Sequence, residues 1–225
     1  MNKKILLLLA LLFLFLGGVP AVAQQLQLKV GGGLASHFGD SRPVGSYKIG
    51  VGYEYEFDQH WSISPALFYY GKGWKDPDQR VFVFDDKGAQ QFDDEGNPLT
   101  SIKNCTSSAQ YITLPVLFNY YLRTGESRYV VFSAGPYVAY GVRGKMRTKG
   151  DAEKPGSQKL FYSTDTFKEP GAHRFDAGVE VAIGYQFPSG ITVGVETDLG
   201  LTHFNKSGSR NVSGLIAFTY TFKNK

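Results

Sequence analysis

The chain divides into eight segments, and the connections between them are alternately long and short along the sequence. Short connections lie near 58–60, 123–127 and 187–190, and long ones lie roughly at 35–45, 75–107, 144–171 and 205–210. A soluble β-sandwich has no reason to alternate its loop lengths in this way. A membrane-spanning barrel of strands running up and down has short turns at one end and long loops at the other. The pattern therefore predicts a barrel of this kind.

Side-chain polarity alternates with a period of two within most segments, which is the period of a β-strand. In the second segment, Tyr47, Ile49 and Val51 share one face, while Lys48 and Glu54 share the other. The fourth, sixth, seventh and eighth segments alternate similarly, and no sustained helical period follows residue 23. Strands of roughly nine to eleven tilted residues suffice to cross a bilayer. We therefore predict an all-β fold, an eight-stranded antiparallel up-and-down transmembrane β-barrel.

The composition of the two strand faces indicates which one points outward. The charged face is rich in glycine and carries isolated carboxylates, which suits a narrow lumen. The opposite face ends in aromatic residues beside the short turns or at the C-terminus, as an aromatic girdle would. These aromatic residues are Tyr53, Tyr55, Phe57, Tyr120, Tyr185, Phe187, Tyr220 and Phe222. We expect the apolar face to contact lipid, and a soluble lipocalin-like barrel is the alternative.

The N-terminus has the three parts of a cleaved secretory signal peptide. Two lysines precede the apolar stretch Ile5–Leu16, and Ala21-Val22-Ala23 forms a small-residue cleavage site. We assign 1–23 to the signal peptide and 24–225 to the barrel domain. Removing two lysines lowers the formal net charge from +4 to +2, so charge gives no support for nucleic-acid binding. The expected location is the outer membrane of a Gram-negative cell, with both termini periplasmic.

Strand parity places a set of charged side chains in the lumen. They are Lys29, Lys48, Glu54, Glu56, Arg143, Asp176, Glu180, Glu196 and Asp198. A carboxylate in a narrow barrel costs several kcal/mol unless it is paired and hydrogen-bonded. Two interpretations remain open, an ion or proton path through the barrel or a network of salt bridges that plugs it. Eight strands leave an interior just wide enough for side chains, so a general diffusion pore is not expected.

The two longest connections have opposite charge. The acidic connection 75–107 contains Val81–Phe92, which predicts a β-hairpin around a Lys-Gly turn, and the single cysteine Cys105. Its Asp93–Asn97 run has calcium-like chemistry without EF-hand spacing, so a calcium site and a solvated turn are both considered. The connection 144–171 is basic and suits either a solvated loop or contact with lipopolysaccharide phosphates. Its cations are Lys145, Arg147, Lys149, Lys154, Lys159 and Lys168.

A lipid-modifying enzyme is a further alternative, because small outer-membrane barrels can carry a serine and a histidine at the outer rim. The candidates are His37, His173 and His203 with Ser36, Ser163 or Ser207. A nucleophile must lie within hydrogen-bond reach of its base, which sequence spacing does not establish. We therefore assign no catalytic, cofactor-binding or metal-binding residue, and we expect no cofactor.

Four stretches carry a family resemblance: Tyr111–Leu117, Ser133–Tyr140, Phe175–Tyr185 and Phe218–Phe222. Through them the sequence resembles the PorT-like outer-membrane β-barrels of Bacteroidetes-type bacteria, which are similar in shape to the OmpA and OmpX barrels. The resemblance implies an accessory role in protein export as an alternative function. We expect a non-catalytic, monomeric barrel that acts as a structural or surface-interaction protein through its extracellular loops. The expected partners are outer-membrane lipid and lipopolysaccharide, with an envelope or export protein as a further candidate.

Overall fold

The computed structural model of the protein describes residues 24–39, 41–85, 87–149, 162–168, 171–206 and 208–222. The predicted signal peptide, 1–23, lies outside these residues. The described part is almost entirely β-structure, with a short 3-10 helix at Thr166–Lys168. No helix within it is long and apolar enough to cross a membrane.

Eight long strands of the described chain close into a ring. They are β1 (Gln24–His37), β2 (Val44–Glu56), β3 (Trp61–Lys75), β5 (Thr100–Gly125), β6 (Arg128–Lys149), β8 (Phe175–Gln186), β9 (Ile191–Gly200) and β10 (Asn211–Phe222). Two short strands, β4 (Gln79–Phe82) and β7 (Tyr162–Thr164), lie outside the ring. Ring neighbours are antiparallel, and β10 pairs back onto β1. The predicted eight-stranded antiparallel barrel is confirmed.

Short and long connections alternate around the ring, as the sequence predicted. The short ones are 57–60, 126–127 and 187–190, and together they form what we call the short-turn end. The long connections follow His37, Lys75, Lys149 and Gly200 at the other end of the ring, which we call the long-loop end. Ser127, with φ of 53°, allows the tightest short turn to reverse the chain within two residues.

β5 and β6 are 26 and 22 residues long, whereas the other ring strands have 10–15 residues. Beyond the wall, β4 pairs with β5 and β7 pairs with β6. We call β4, β7, residues 100–107 of β5 and residues 144–149 of β6 the projecting sheet. The predicted loops 75–107 and 144–171 therefore include strand residues, and Cys105 lies in β5 opposite Thr148 rather than in a loop. Within β5, the polar run Asn104–Ser108 lacks the alternation that marks the wall strands.

The segment between β4 and β5 folds into two matching hairpins. Phe84 bridges to Gln90 in the first, and Phe92 bridges to Pro98 in the second. In each hairpin an aspartate accepts hydrogen bonds from the backbone N–H groups two and four residues later, at 2.7–3.0 Å. A glycine with φ of 84° or 82° follows in each turn. The predicted hairpin around Lys87-Gly88 is confirmed.

Candidate functional site

The outward face of the barrel is apolar and the interior is charged, which is the reverse of a soluble protein. Val195 and Ile216 are 55% and 56% exposed on the outward face, while Lys48, Glu180 and Asp198 are buried inside. Soluble monomers rarely expose contiguous apolar patches larger than a few hundred Å². The wall strands expose large apolar side chains all around the ring. Such a surface is suited to contact with lipid.

A network of ion pairs crosses the middle of the lumen. Lys48 on β2 lies 2.8 Å from both Glu180 on β8 and Glu196 on β9. Lys29 on β1 lies 2.6 Å from Glu196. The carboxylate of Asp198, also on β9, lies 3.8 Å from the ammonium of Lys48. The cations come from β1 and β2 and the carboxylates from β8 and β9, so each pair joins strands that are not neighbours in the ring.

A second layer lies next to the first, toward the long-loop end. Lys72 on β3 lies 3.5 Å from Asp176 on β8 and 3.5 Å from Asp198 on β9. The Tyr137 hydroxyl donates a hydrogen bond of 3.2 Å to Asp176. The ammonium group of Lys72 also lies 4.7 Å from the ring centres of Tyr70 and Tyr137. The aromatic faces thereby attract the same cation that the carboxylates bind.

Glu54 forms the centre of a hydrogen-bond network with uncharged donors toward the short-turn end. Its carboxylate accepts hydrogen bonds from Ser62 at 2.6 Å and from Gln27 at 2.7 Å, and Tyr121 also donates to it. In the described part of the chain, no lysine or arginine lies within 4 Å of it. A cavity of about 70 Å³ with a mixed polar and apolar lining adjoins Gln27 and Lys29. Its lining includes Gln27, Lys29, Ser64, Asn119, Thr192 and Thr219.

An aromatic cluster closes the lumen at the long-loop end. His37 stacks on Trp74 with ring centres 3.8 Å apart, and Trp74 meets Phe204 edge to face at 4.6 Å. Phe167, from the short 3-10 helix, packs edge to face against Tyr111. Trp74, Phe204, Phe167 and Tyr111 belong to one buried apolar cluster. We call this cluster, together with the stacked His37, the cap. The cap and the ion pairs together favour the plugged lumen over an open ion path.

Most of the side chains predicted for the lumen are brought together there. Glu56 lies near its mouth, where Gln25 donates a hydrogen bond of 3.0 Å to it. Arg143 was predicted inside, and this is wrong. Tyr111 pairs with Gly141 but Gln110 pairs with Arg143, so the extra residue Val142 reverses the parity of β6. The exposed Arg143 side chain lies on the outward face.

Sequence parity missed Lys72, which supplies one of the three cations that cross the lumen. The cause is the run of aromatic and glycine residues 68–74 on β3, in which neither face is clearly apolar. Counting in steps of two from Ser62, which faces the lumen beside Glu54, would have found Lys72.

The histidines and serines proposed for catalysis do not form a common site in the described residues. His37 is buried in the cap, and His203 pairs with Arg210 at 3.1 Å. Ser36 donates its hydrogen bond to the Ser41 carbonyl oxygen. Ser163 lies on β7, and Ser207 lies outside the described residues.

The acidic loop uses its carboxylates for local structure. Asp93 Oδ1 is occupied by the N–H groups of Glu95 and Asn97. Within the described ranges, no group of three histidine, cysteine, aspartate or glutamate side chains is arranged to hold a metal ion. The loop therefore gives no structural support for the calcium alternative.

Comparisons with known proteins found similar solved structures and one matching family model. The crystal structure of Ail, the attachment invasion locus protein of Yersinia pestis, is 11% identical, covering 88% of this chain and 97% of that chain at a TM-score of 0.38. The translocator domain of the autotransporter NalP from Neisseria meningitidis is 9% identical, covering 97% and 95% at a TM-score of 0.28. No curated protein matches the sequence. The family model described as "Outer membrane protein beta-barrel domain" matches residues 10–206. The chain therefore belongs to the outer-membrane β-barrel protein family.

Proposed function

We propose that this protein is a non-catalytic surface-interaction barrel that presents its projecting sheet outside the cell. The observation that carries the proposal is the length of β5 and β6, at 26 and 22 residues. A bilayer needs roughly nine to eleven residues per strand, so about half of each strand extends past the membrane. A barrel with only a structural role does not need such an extension.

The projecting sheet carries an exposed apolar surface. Phe82 on β4 and Ile102 on β5 are 54% and 56% exposed, and Phe84 and Phe92 of the hairpins are also exposed. Phe82 ends β4 and Phe84 follows it two residues later; both are exposed, whereas Val83 between them is buried. Large apolar side chains on a part of the protein that reaches beyond the bilayer mark a protein interaction surface. This surface supports binding to an external protein.

The lumen supports the same proposal by disfavouring transport. Three lysines and four carboxylates meet across its centre, and the cap lies above them. To pass through the lumen, a solute would have to displace both the ion-paired side chains and the cap.

The orientation of the barrel follows from the lengths of its connections. Outer-membrane barrels have short periplasmic turns and longer extracellular loops, so the long-loop end should face outward and both termini the periplasm. An epitope tag inserted at Gly88 should bind antibody on intact cells, whereas a tag in the 126–127 turn should require permeabilisation. The opposite pattern would contradict the proposed orientation.

Photocrosslinking in intact cells tests the interaction surface. A photoreactive phenylalanine analogue in place of Phe84 should form protein adducts, while the same analogue at Phe118 should not. Phe118 is the matched control because it is equally apolar and 51% exposed, but lies on the wall. The adducts at position 84 should disappear with Phe82→Ser and Ile102→Ser. Equal adducts at both positions, or none at position 84, would contradict the proposal.

The PorT-type export role is an alternative with different requirements. The resembling stretches at 111–117, 133–140 and 175–185 lie in β5, β6 and β8 of the wall. Short turns of four, two and four residues offer little docking surface, so an export partner would bind the lipid-facing wall. Loss of secreted proteins on gene deletion, restored by a variant with Phe82→Ser and Ile102→Ser, would favour this role over surface interaction.

A further inference from the structure

A β-bulge in β6 places three cations on the outward face of the barrel. Register passes from Tyr111↔Gly141 to Gln110↔Arg143, which leaves Val142 as the extra residue. Parity after the bulge puts Arg143, Lys145 and Arg147 on one face, and all three side chains are exposed. We call these three residues the cation row.

The opposite face of β6 is covered, which fixes the direction of the cation row. A Cβ added at Gly141 would lie 2.2 Å from the Phe167 ring, and one at Gly144 would lie 2.6 Å from Thr166. Phe167 belongs to the cap and Thr166 precedes it, so these glycines face inward. The cation row therefore points away from the lumen and the cap.

The cation row begins where the apolar wall ends. Val138, Tyr140 and Val142 are exposed on the outward face of β6 immediately before Arg143. Alternate residues of a strand lie about 6.6–6.8 Å apart, so the cation row spans about 13 Å beyond the apolar surface. We expect lipid headgroups to meet the barrel at this change from apolar to charged surface.

The charges of the cation row are uncompensated within the described part of the chain, where no carboxylate lies within 4 Å of them. Asp165, which follows β7, instead accepts a hydrogen bond of 2.8 Å from the Phe167 N–H. The β5 residues opposite the row are Gln110, Ser108 and Thr106, which carry hydrogen-bonding groups and no charge. The row is therefore able to bind an anion.

We propose that the cation row binds the phosphate groups of a phosphorylated lipid in the outer leaflet. Arg and Lys bind phosphate by charge-assisted hydrogen bonds, and the adjacent apolar wall contacts the acyl chains of the same lipid. A lipid fits this site better than a free anion because the apolar wall leads directly into the cation row. Assignment to the outer leaflet rests on the orientation proposed above, whereas phosphate binding itself does not.

Native mass spectrometry of the purified protein in zwitterionic detergent tests the proposal. The probes are lipid A with both phosphates and dephosphorylated lipid A. The test variant combines Arg143→Gln, Lys145→Gln and Arg147→Gln. Its matched control combines Arg80→Gln, Lys87→Gln and Arg128→Gln, which removes three exposed cations elsewhere.

Each basic residue near an anionic lipid surface contributes to the free energy of binding. Removing three of them should weaken the binding of phosphorylated lipid A about a hundredfold. The control should keep the wild-type affinity, and Arg143→Lys with Arg147→Lys should keep most of it. Heat-shifted gel migration checks that every variant is folded.

Equal affinity of wild type and test variant for phosphorylated lipid A would overturn the proposal. Equal binding of the dephosphorylated lipid would also overturn it, as would displacement by inorganic phosphate at the concentration of the lipid. Because the protein is in detergent, none of these outcomes depends on its orientation or on the apolar surface around Phe82, Phe84 and Ile102. The two proposals can therefore fail separately.

Discussion

Lys48 is the residue on which the lumen network depends most. Its ammonium contacts Glu180 and Glu196 at 2.8 Å, lies 3.8 Å from Asp198, and is fully buried. The Phe68 ring lies 4.9 Å from the same group. Three carboxylates from the opposite side of the ring thus share one cation, so a change at this position affects the whole layer.

Replacing Lys48 with Met should destabilise the barrel by about 3–5 kcal/mol, because removing one partner of a buried ion pair leaves the other charges uncompensated. Urea unfolding of the protein refolded in detergent measures this loss. Lys29→Met is the control and should destabilise the barrel less. Lys29 is partly exposed, and without it Glu196 still pairs with Lys48. Adding Glu180→Gln and Glu196→Gln to Lys48→Met should restore part of the stability. An unchanged unfolding midpoint for Lys48→Met would contradict this role.

The stability of the second hairpin depends on pH through the carboxyl group of Asp93. Backbone N–H groups of Asn97, Glu95 and Gly96 hold the pKa of its carboxyl below the ordinary value of 3.8. The stabilisation is therefore fully present above the ordinary value and is lost as pH falls through the lowered pKa. Hydrogen exchange should show the Asn97 amide protected at neutral pH, with protection lost in acid. Asp93→Asn keeps an acceptor but cannot titrate, so exchange in that variant should lack this step.

At the scale of single elements, glycines let the lumen side chains reach their partners. A Cβ on Gly178 of β8 would lie 2.1 Å from the Leu199 carbonyl oxygen and 2.8 Å from the Tyr137 ring. Gly178→Val should therefore move Tyr137 away from Asp176 and cost about 1–3 kcal/mol, as overpacking does. Gly214→Val on β10 is the control, since no atom lies within 4 Å of a Cβ there. Equal urea midpoints for the two variants would show that this close approach does not matter.

The wall strands could be predicted from sequence because lipid contact on one face and the lumen on the other impose a period of two. Beyond the part of the strands that lies between lipid and lumen, the sequence-based prediction failed. The polar run Asn104–Ser108 continues β5 by backbone pairing alone, which polarity does not reveal. Arg143 was misplaced because the bulge at Val142 depends on the register of the partner strand. The ion pairs could be predicted as a set of residues, but their pairing depends on which strands face each other across the closed ring.

For the molecule as a whole, the side chains that fill the lumen come together only when the ring of strands closes. β1 pairs with β10 along twelve residue pairs, which joins the two ends of the described chain. The lysines on β1, β2 and β3 then face the carboxylates on β8 and β9 across the lumen. These contacts are far apart in sequence, so they form only when the barrel closes. The same charges thus stabilise the closed ring and block its lumen.

A lumen obstructed at two levels should not conduct ions. In planar lipid bilayers the wild-type protein should show no single-channel steps, because the ion pairs and the cap obstruct the lumen in series. Replacing Lys48, Glu180 and Glu196 with Ser should leave the cap closed, and replacing Trp74 and Phe204 with Ala should leave the ion pairs in place. Small conductance steps should therefore require both sets of changes together, because either obstruction alone blocks the path. The matched control, Val195→Ala with Ile216→Ala on the lipid-facing wall, should be silent. Regular steps from the wild-type protein would contradict the plugged lumen and restore the ion path as its function.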